Sequence, residues 1–254
     1  EGSGFTVLSP YQAERARPLG SGQPWRDVGD GSIDPSRPYR CWLDAERKRS
    51  IVVFFYDGPV SHGISFQGVL RDAGAFRDRL AQAYSPGRRH AQLVHVANDG
   101  ETYGHHFKFG DLTLAFALHR SLEEEGFAIT NYAAFLETNP PEWEVELKAG
   151  PDGLGTAWSC AHGTLRWHED CGCTTGSQPG WNQRWRRPLR HALDWLRDQT
   201  GAVMEEHGRR LFRDPWRAAD AFIHVLLRRT RSATDRFLAR EGQGLGGRGN
   251  MRGV

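Results

Sequence analysis

The run IVVFFY at residues 51–56 constrains this chain most: six apolar residues in succession, all β-branched or aromatic, stopped at once by Asp57 and Gly58. An amphipathic helix would show one apolar stripe, and a half-exposed strand would alternate. A short unbroken run bounded by turn residues fits a strand covered on both faces. Phe5–Leu8 (FTVL) and Leu93–Ala97 (LVHVA) repeat the pattern, the first closed by Ser-Pro and the second by Asn-Asp-Gly. Helical spacing fills the intervals, over about 64–84 (Phe66, Val69, Leu70, Phe76, Leu80) and 111–125 (Leu112, Leu114, Ala115, Leu118, Leu122). ITNYAAFLETNPP then predicts another strand or turn, a short helix and a proline stop. Strand and helix in alternation predict an α/β domain with parallel strands.

From Arg187 the pattern turns helical throughout. Two long amphipathic stretches are separated by a Gly and an Asp-Pro, with Pro188 and Pro215 in first helical turns, where a missing amide is tolerated. Four segments result: an α/β part over 1–155, a Cys/His/Trp-rich connector over 156–186, a helical domain over 187–240, and a disordered glycine-rich tail over 241–254.

In α/β sheets and barrels, ligands bind outside the carboxyl ends of the strands. Asp57 ends one strand there and Asp99 another, each followed by a glycine that lets the backbone swing away. Such a carboxylate can serve as acid or base, and an Asp-Gly pair can equally be a plain turn. His105 and His106 follow Asp99 in DGETYGHH. They can hydrogen-bond a substrate, hold a metal or cap the next helix, and adjacent side chains seldom aim at one atom.

The connector holds three of the four cysteines: Cys160, Cys171 and Cys173, with His162 and His168 between them. Five ligands are enough in number for a zinc site. The C-x-H, H-x-x-C and C-x-C spacings are not paired C-x-x-C knuckles, so metal and a tight loop of buried thiols both stay open. Nine tryptophans supply flat apolar faces suited to sugars. Trp195 falls in an apolar helical pattern and is expected in the core, whereas Trp158 is the candidate exposed platform.

These residues together resemble glycoside hydrolase family 57. DGETYGHH (99–106) resembles the motif carrying that family's catalytic aspartate, and FFYDGPVSHGISF (54–66) its neighbouring strand and loop. WSCAHGTLRWHEDCGC and GWNQRWRRPLRHALDWLRD are similar to a subgroup with a C-terminal domain of unknown function. The resemblance implies part of a (β/α)7-type barrel followed by a helical C-terminal domain. It implies a retaining hydrolase or glucanotransferase acting on α-glucans, with Asp99 as general acid/base, partly buried at the barrel mouth. Glu101, His105, His106, Asp57, Trp158 and His162 would bind substrate or orient Asp99. Retention needs a second carboxylate about 5–5.5 Å away. The resemblance assigns it to a glutamate on a strand before FTVL, and a chain that opens at Glu1 is expected to be N-terminally incomplete.

The resemblance brings no cofactor and no metal. The expected partner is an oligo- or polysaccharide, in a reducing cytoplasm where few cysteines form disulfides. Hydrophobic residues at 38% and charged residues at 25% describe a folded chain rather than a disordered one. A net charge of +2 suggests no nucleic acid, and RWRRPLR reads as the solvated start of a helix. No apolar run approaches the roughly 20 residues of a membrane helix. Two rival functions remain: a non-catalytic carbohydrate-binding protein that keeps the fold, and a metal-dependent hydrolase or deacetylase on a related barrel.

Overall fold

The structure, a computed structural model, describes residues 4–151, 153–157, 160–173, 176 and 178–243. Contacts within the chain group it into two compact units, Glu1–Thr164 and Leu165–Val254. Among the described residues no helix is long and apolar enough to cross a membrane.

In the first unit, β1 (Phe5–Leu8), β2 (Ala13–Pro18), β3 (Arg26–Asp27), β4 (Tyr39–Trp42), β5 (Ser50–Phe55) and β6 (Trp143–Leu147) form one sheet in the order β1-β5-β4-β6-β2-β3. The sheet is mixed rather than parallel. β1 pairs parallel with β5 and β4 with β6, while β4–β5, β2–β6 and β2–β3 are antiparallel. The turn between β4 and β5 explains part of this: Asp44 accepts backbone N–H bonds from Lys48 (2.8 Å) and Arg49 (2.9 Å). So short a connection closes only an antiparallel pair.

β5 is covered on both faces. Val53 and Phe55 pack into one cluster with Ala13, Ala16, Tyr39 and Val145, and Val52 and Phe54 into another with Phe135. Both phenylalanines are fully buried, a burial worth about 1.5–3 kcal/mol per side chain. LVHVA, by contrast, is extended chain outside the sheet. Leu93 donates to the Ser36 carbonyl and Asp57 to that of His95, both at 2.9 Å, without a continuous ladder.

The helix expected over 64–84 is divided. α1 (Gly58–Phe66) ends before Gly68, whose φ of +69° suits glycine, and α2 (Ala73–Ala81) starts afresh with Asp72 accepting from Ala75 N–H at 2.7 Å. The 111–125 pattern becomes α3 (Gly110–Phe116), a π-helical stretch Ala117–Ser121 and α4 (Leu122–Glu124); α5 (Tyr132–Thr138) follows. Val60, Ile64, Leu70, Phe76, Ala117 and Leu122 form the core beneath these helices.

The second unit is helical, as its spacing predicts: α6 (Arg186–Leu211), α7 (Pro215–Ala221), α8 (Ile223–Arg228) and α9 (Arg231–Glu241). Asp214 caps α7 by accepting from Trp216 and Arg217 N–H. Trp195 is 64% exposed, contrary to its expected place in the core, and α6 buries no residue at all. The first residues of the expected tail are held: Glu241, which ends α9, is buried against Arg217 (2.9 Å), and Gln243 N–H donates to the Leu211 carbonyl at 2.8 Å. Residues 244–254 lie outside those described.

Candidate functional site at the carboxyl end of β5

β5 delivers the chain to Asp57, whose extended backbone precedes α1. A carboxylate at that position meets the unpaired amides of the first helical turn, and Asp57 accepts from Val60 N–H at 2.9 Å. Its carbonyl accepts the Ser61 hydroxyl at 2.7 Å. That hydroxyl in turn accepts the Ala97 N–H at 3.1 Å. Asn98 completes the attachment through Nδ2, which donates to the Ser61 carbonyl (2.8 Å) and to Ser65 Oγ (2.5 Å). Segment 93–98 is thus tied to the start of α1 by polar bonds rather than by a strand ladder.

His95 anchors it from beneath. The ring is buried, with Nε2 3.1 Å from the Pro35 carbonyl and Nδ1 3.0 Å from the Tyr132 hydroxyl. A carbonyl only accepts, so Nε2 carries the proton and Nδ1 accepts from Tyr132. Burial pushes the imidazole below its ordinary value, against the opposing pull of the Pro35 bond and the Asp57 charge. The sequence signal for His95 was a single polar residue inside an apolar run; its role needed Pro35 and Tyr132, remote in sequence.

Beyond Asn98 the chain turns outward. Asp99 opens a 3-10 turn, Gly100–Thr102, through its carbonyl, which accepts Thr102 N–H at 3.0 Å. Its side chain makes no capping bond and is exposed. Asp57 and Asp99 therefore differ: the first carboxylate holds a helix, and the second is presented to solvent. The exposure of Asp99 also departs from the partial burial expected of it. Glu101, His105 and His106 are exposed too. The Glu101 carbonyl accepts both histidine N–H groups (3.1 and 2.9 Å), and the two rings meet edge to face at 5.1 Å. Phe109, unremarked in the sequence, is 61% exposed and held at φ +68°. That conformation is an outlier for a bulky residue.

The other expected contributors lie elsewhere. Trp158 falls outside the described residues. His162 sits beside Cys160, with Nδ1 3.5 Å from Sγ and its N–H 3.4 Å from the same sulfur. Cys160 and His162 belong to the first unit, and His168, Cys171 and Cys173 to the second.

A likeness to a known family lies in the helical unit. Residues 181–245 match the family model described as Domain of unknown function (DUF3536). The DUF3536 stretch takes in α6 to α9 and leaves the Asp57–Asp99 region outside the match. No curated protein matches the chain.

Proposed function

We propose that this chain belongs to an α-glucan-active enzyme of the glycoside hydrolase family 57 type, a retaining hydrolase or glucanotransferase in which Asp99 is the general acid and then the base. One observation carries the reading: a carboxylate with no capping duty stands at the end of an anchored segment, tied to the turn that follows a strand buried over its last four residues. The DUF3536 match supports it, because a C-terminal domain of unknown function is what the resemblance expects after the catalytic part.

In this mechanism Asp99 protonates the glycosidic oxygen as the bond breaks. It then deprotonates water or a sugar hydroxyl as the glycosyl-enzyme is released. Glu101, on the same 3-10 turn, cannot also attack the opposite face of the sugar. The nucleophile is expected on a strand that precedes β1 in a (β/α)7-type barrel. His105, His106 and the exposed Phe109 ring would contact hydroxyls and an apolar sugar face.

The test incubates maltooligosaccharides with the protein, including any sequence that precedes Glu1 in its reading frame, as wild type and as Asp99→Asn. Redistributed or shortened glucans from wild type, falling about 10²–10⁴-fold in Asp99→Asn, are expected. No turnover by folded wild type overturns the reading in favour of a carbohydrate-binding role.

A further inference from the structure

Residues of α7, α8 and α9 line an open cavity of about 440 Å³, and all of them belong to the second unit. Small-molecule sites span about 300–1,000 Å³. Local signals bend the chain around the cavity. Arg229 ends α8 at φ +48°, and Thr230 starts α9 by accepting Ala233 N–H at 3.2 Å. Val225 and Ala233, both buried, supply part of the lining. Phe237 supplies a flat apolar wall, its ring set by Phe222 at 5.4 Å and Phe212 at 5.8 Å.

The rest of the lining is cationic. Arg228, Arg236 and Arg240 border the cavity as exposed residues. Glu241 is the one carboxylate among the described lining residues, and it is already engaged, by Arg217 at 2.9 Å and by Arg240 at 3.0 Å. Among the described residues, Arg228 and Arg236 meet no carboxylate; Arg236 donates to the Ser232 hydroxyl. Two guanidiniums without a counter-charge therefore stand beside an apolar wall.

We propose that this cavity binds an organic phosphate monoester, with its phosphate between Arg228 and Arg236 and its organic part against Phe237 and Val225. A guanidinium presents paired N–H donors that match phosphate oxygens two at a time. A phosphate monoester carries about −1.5 to −2 charge at neutral pH, which two uncompensated arginines balance. A carboxylate, with one charge, leaves one of them unmatched. Inorganic phosphate satisfies the arginines and leaves the wall wet, whereas an ester also removes apolar surface from water. The site uses no residue of the Asp57–Asp99 region, so it is independent of the α-glucan reading and survives its failure.

The test is isothermal titration calorimetry of the full protein with phenyl phosphate, glucose 1-phosphate and inorganic phosphate. At least one ester is expected to bind once per chain, about tenfold or more tighter than inorganic phosphate. Arg228→Ala and Arg236→Ala should each weaken that ester at least about tenfold, the loss expected for a charge-assisted hydrogen bond. Arg210→Ala, on α6 and paired with Glu206 instead, should leave it unchanged. Wild type alone supplies a second measurement that no misfolded variant can disturb: added salt screens the charges and should weaken the ester. Neither ester binding more tightly than inorganic phosphate overturns the proposal. So does an affinity that salt leaves unchanged, or one retained in full by both folded arginine variants.

Discussion

The Ser61 hydroxyl accepts the Ala97 N–H at 3.1 Å while it donates to the Asp57 carbonyl at 2.7 Å. Through this one oxygen, the segment that leads to Asp99 is held to the turn that begins at Asp57. Neighbouring residues complete the attachment: His95 to Pro35 and Tyr132, and Asn98 to Ser61 and Ser65. The exposed carboxylate of Asp99 thereby stands on a fixed base.

Tyr132→Phe removes the donor to His95 Nδ1 and leaves that nitrogen buried without it. A loss of about 1–3 kcal/mol is expected in urea unfolding, with the m-value unchanged. A change below about 0.5 kcal/mol would show that His95 finds another donor.

Stability should fall as the medium is acidified. His95 is held below its ordinary value by burial, so the unfolded chain takes the proton first. Stability is full above the unfolded value near 6.5 and is lost as pH drops from there toward the lower folded value. His90 is shifted the same way, by burial and by Arg37. His95→Gln should therefore flatten only part of the slope in urea midpoints measured across this window; an unchanged slope would assign the whole effect elsewhere.

Glu144 in β6 is 1% exposed, with Arg17 at 2.6 Å, Trp42 Nε1 at 2.7 Å and Arg47 at 3.3 Å. Burial raises its carboxyl, but the bonds from Arg17 and Trp42 outweigh that and hold it below the usual carboxylate value. Arg17→Met leaves a buried charge with fewer partners and should cost about 3 kcal/mol in chemical denaturation. Glu144→Gln in the Arg17→Met background should restore part of that loss.

Asp57 and Asp99 should separate in stability as well as activity. Asp57→Ala removes a helix cap and is expected to cost about 1 kcal/mol. Asp99→Asn, exposed and without a capping bond, should stay within about 0.5 kcal/mol of wild type. Equal losses by calorimetry would contradict the division of roles between the two carboxylates.

β2, β4 and β6 escaped the sequence pattern because AERARP, YRCW and WEVEL carry charges a surface would carry. Glu144 is buried only because Arg17 and Trp42, distant in sequence, arrive beside it. Of the candidate site, the position of Asp99 after an apolar run was legible, and the polar bonds that hold the run were not.

What the sequence determined by itself is what local physics decides. β1 and β5 follow from unbroken apolar runs, α6 to α9 from helical spacing, and the restart at α7 from Asp214-Pro215. Tertiary structure decided the rest. LVHVA has the composition of a strand, yet it lies outside the sheet, because ladder formation depends on which chain lies alongside and not on the run itself. Asp57 and Asp99 share an Asp-Gly sequence, yet only Asp57 reaches the amides of a following α-helix. The duty of a carboxylate is set by the donors the fold brings to it.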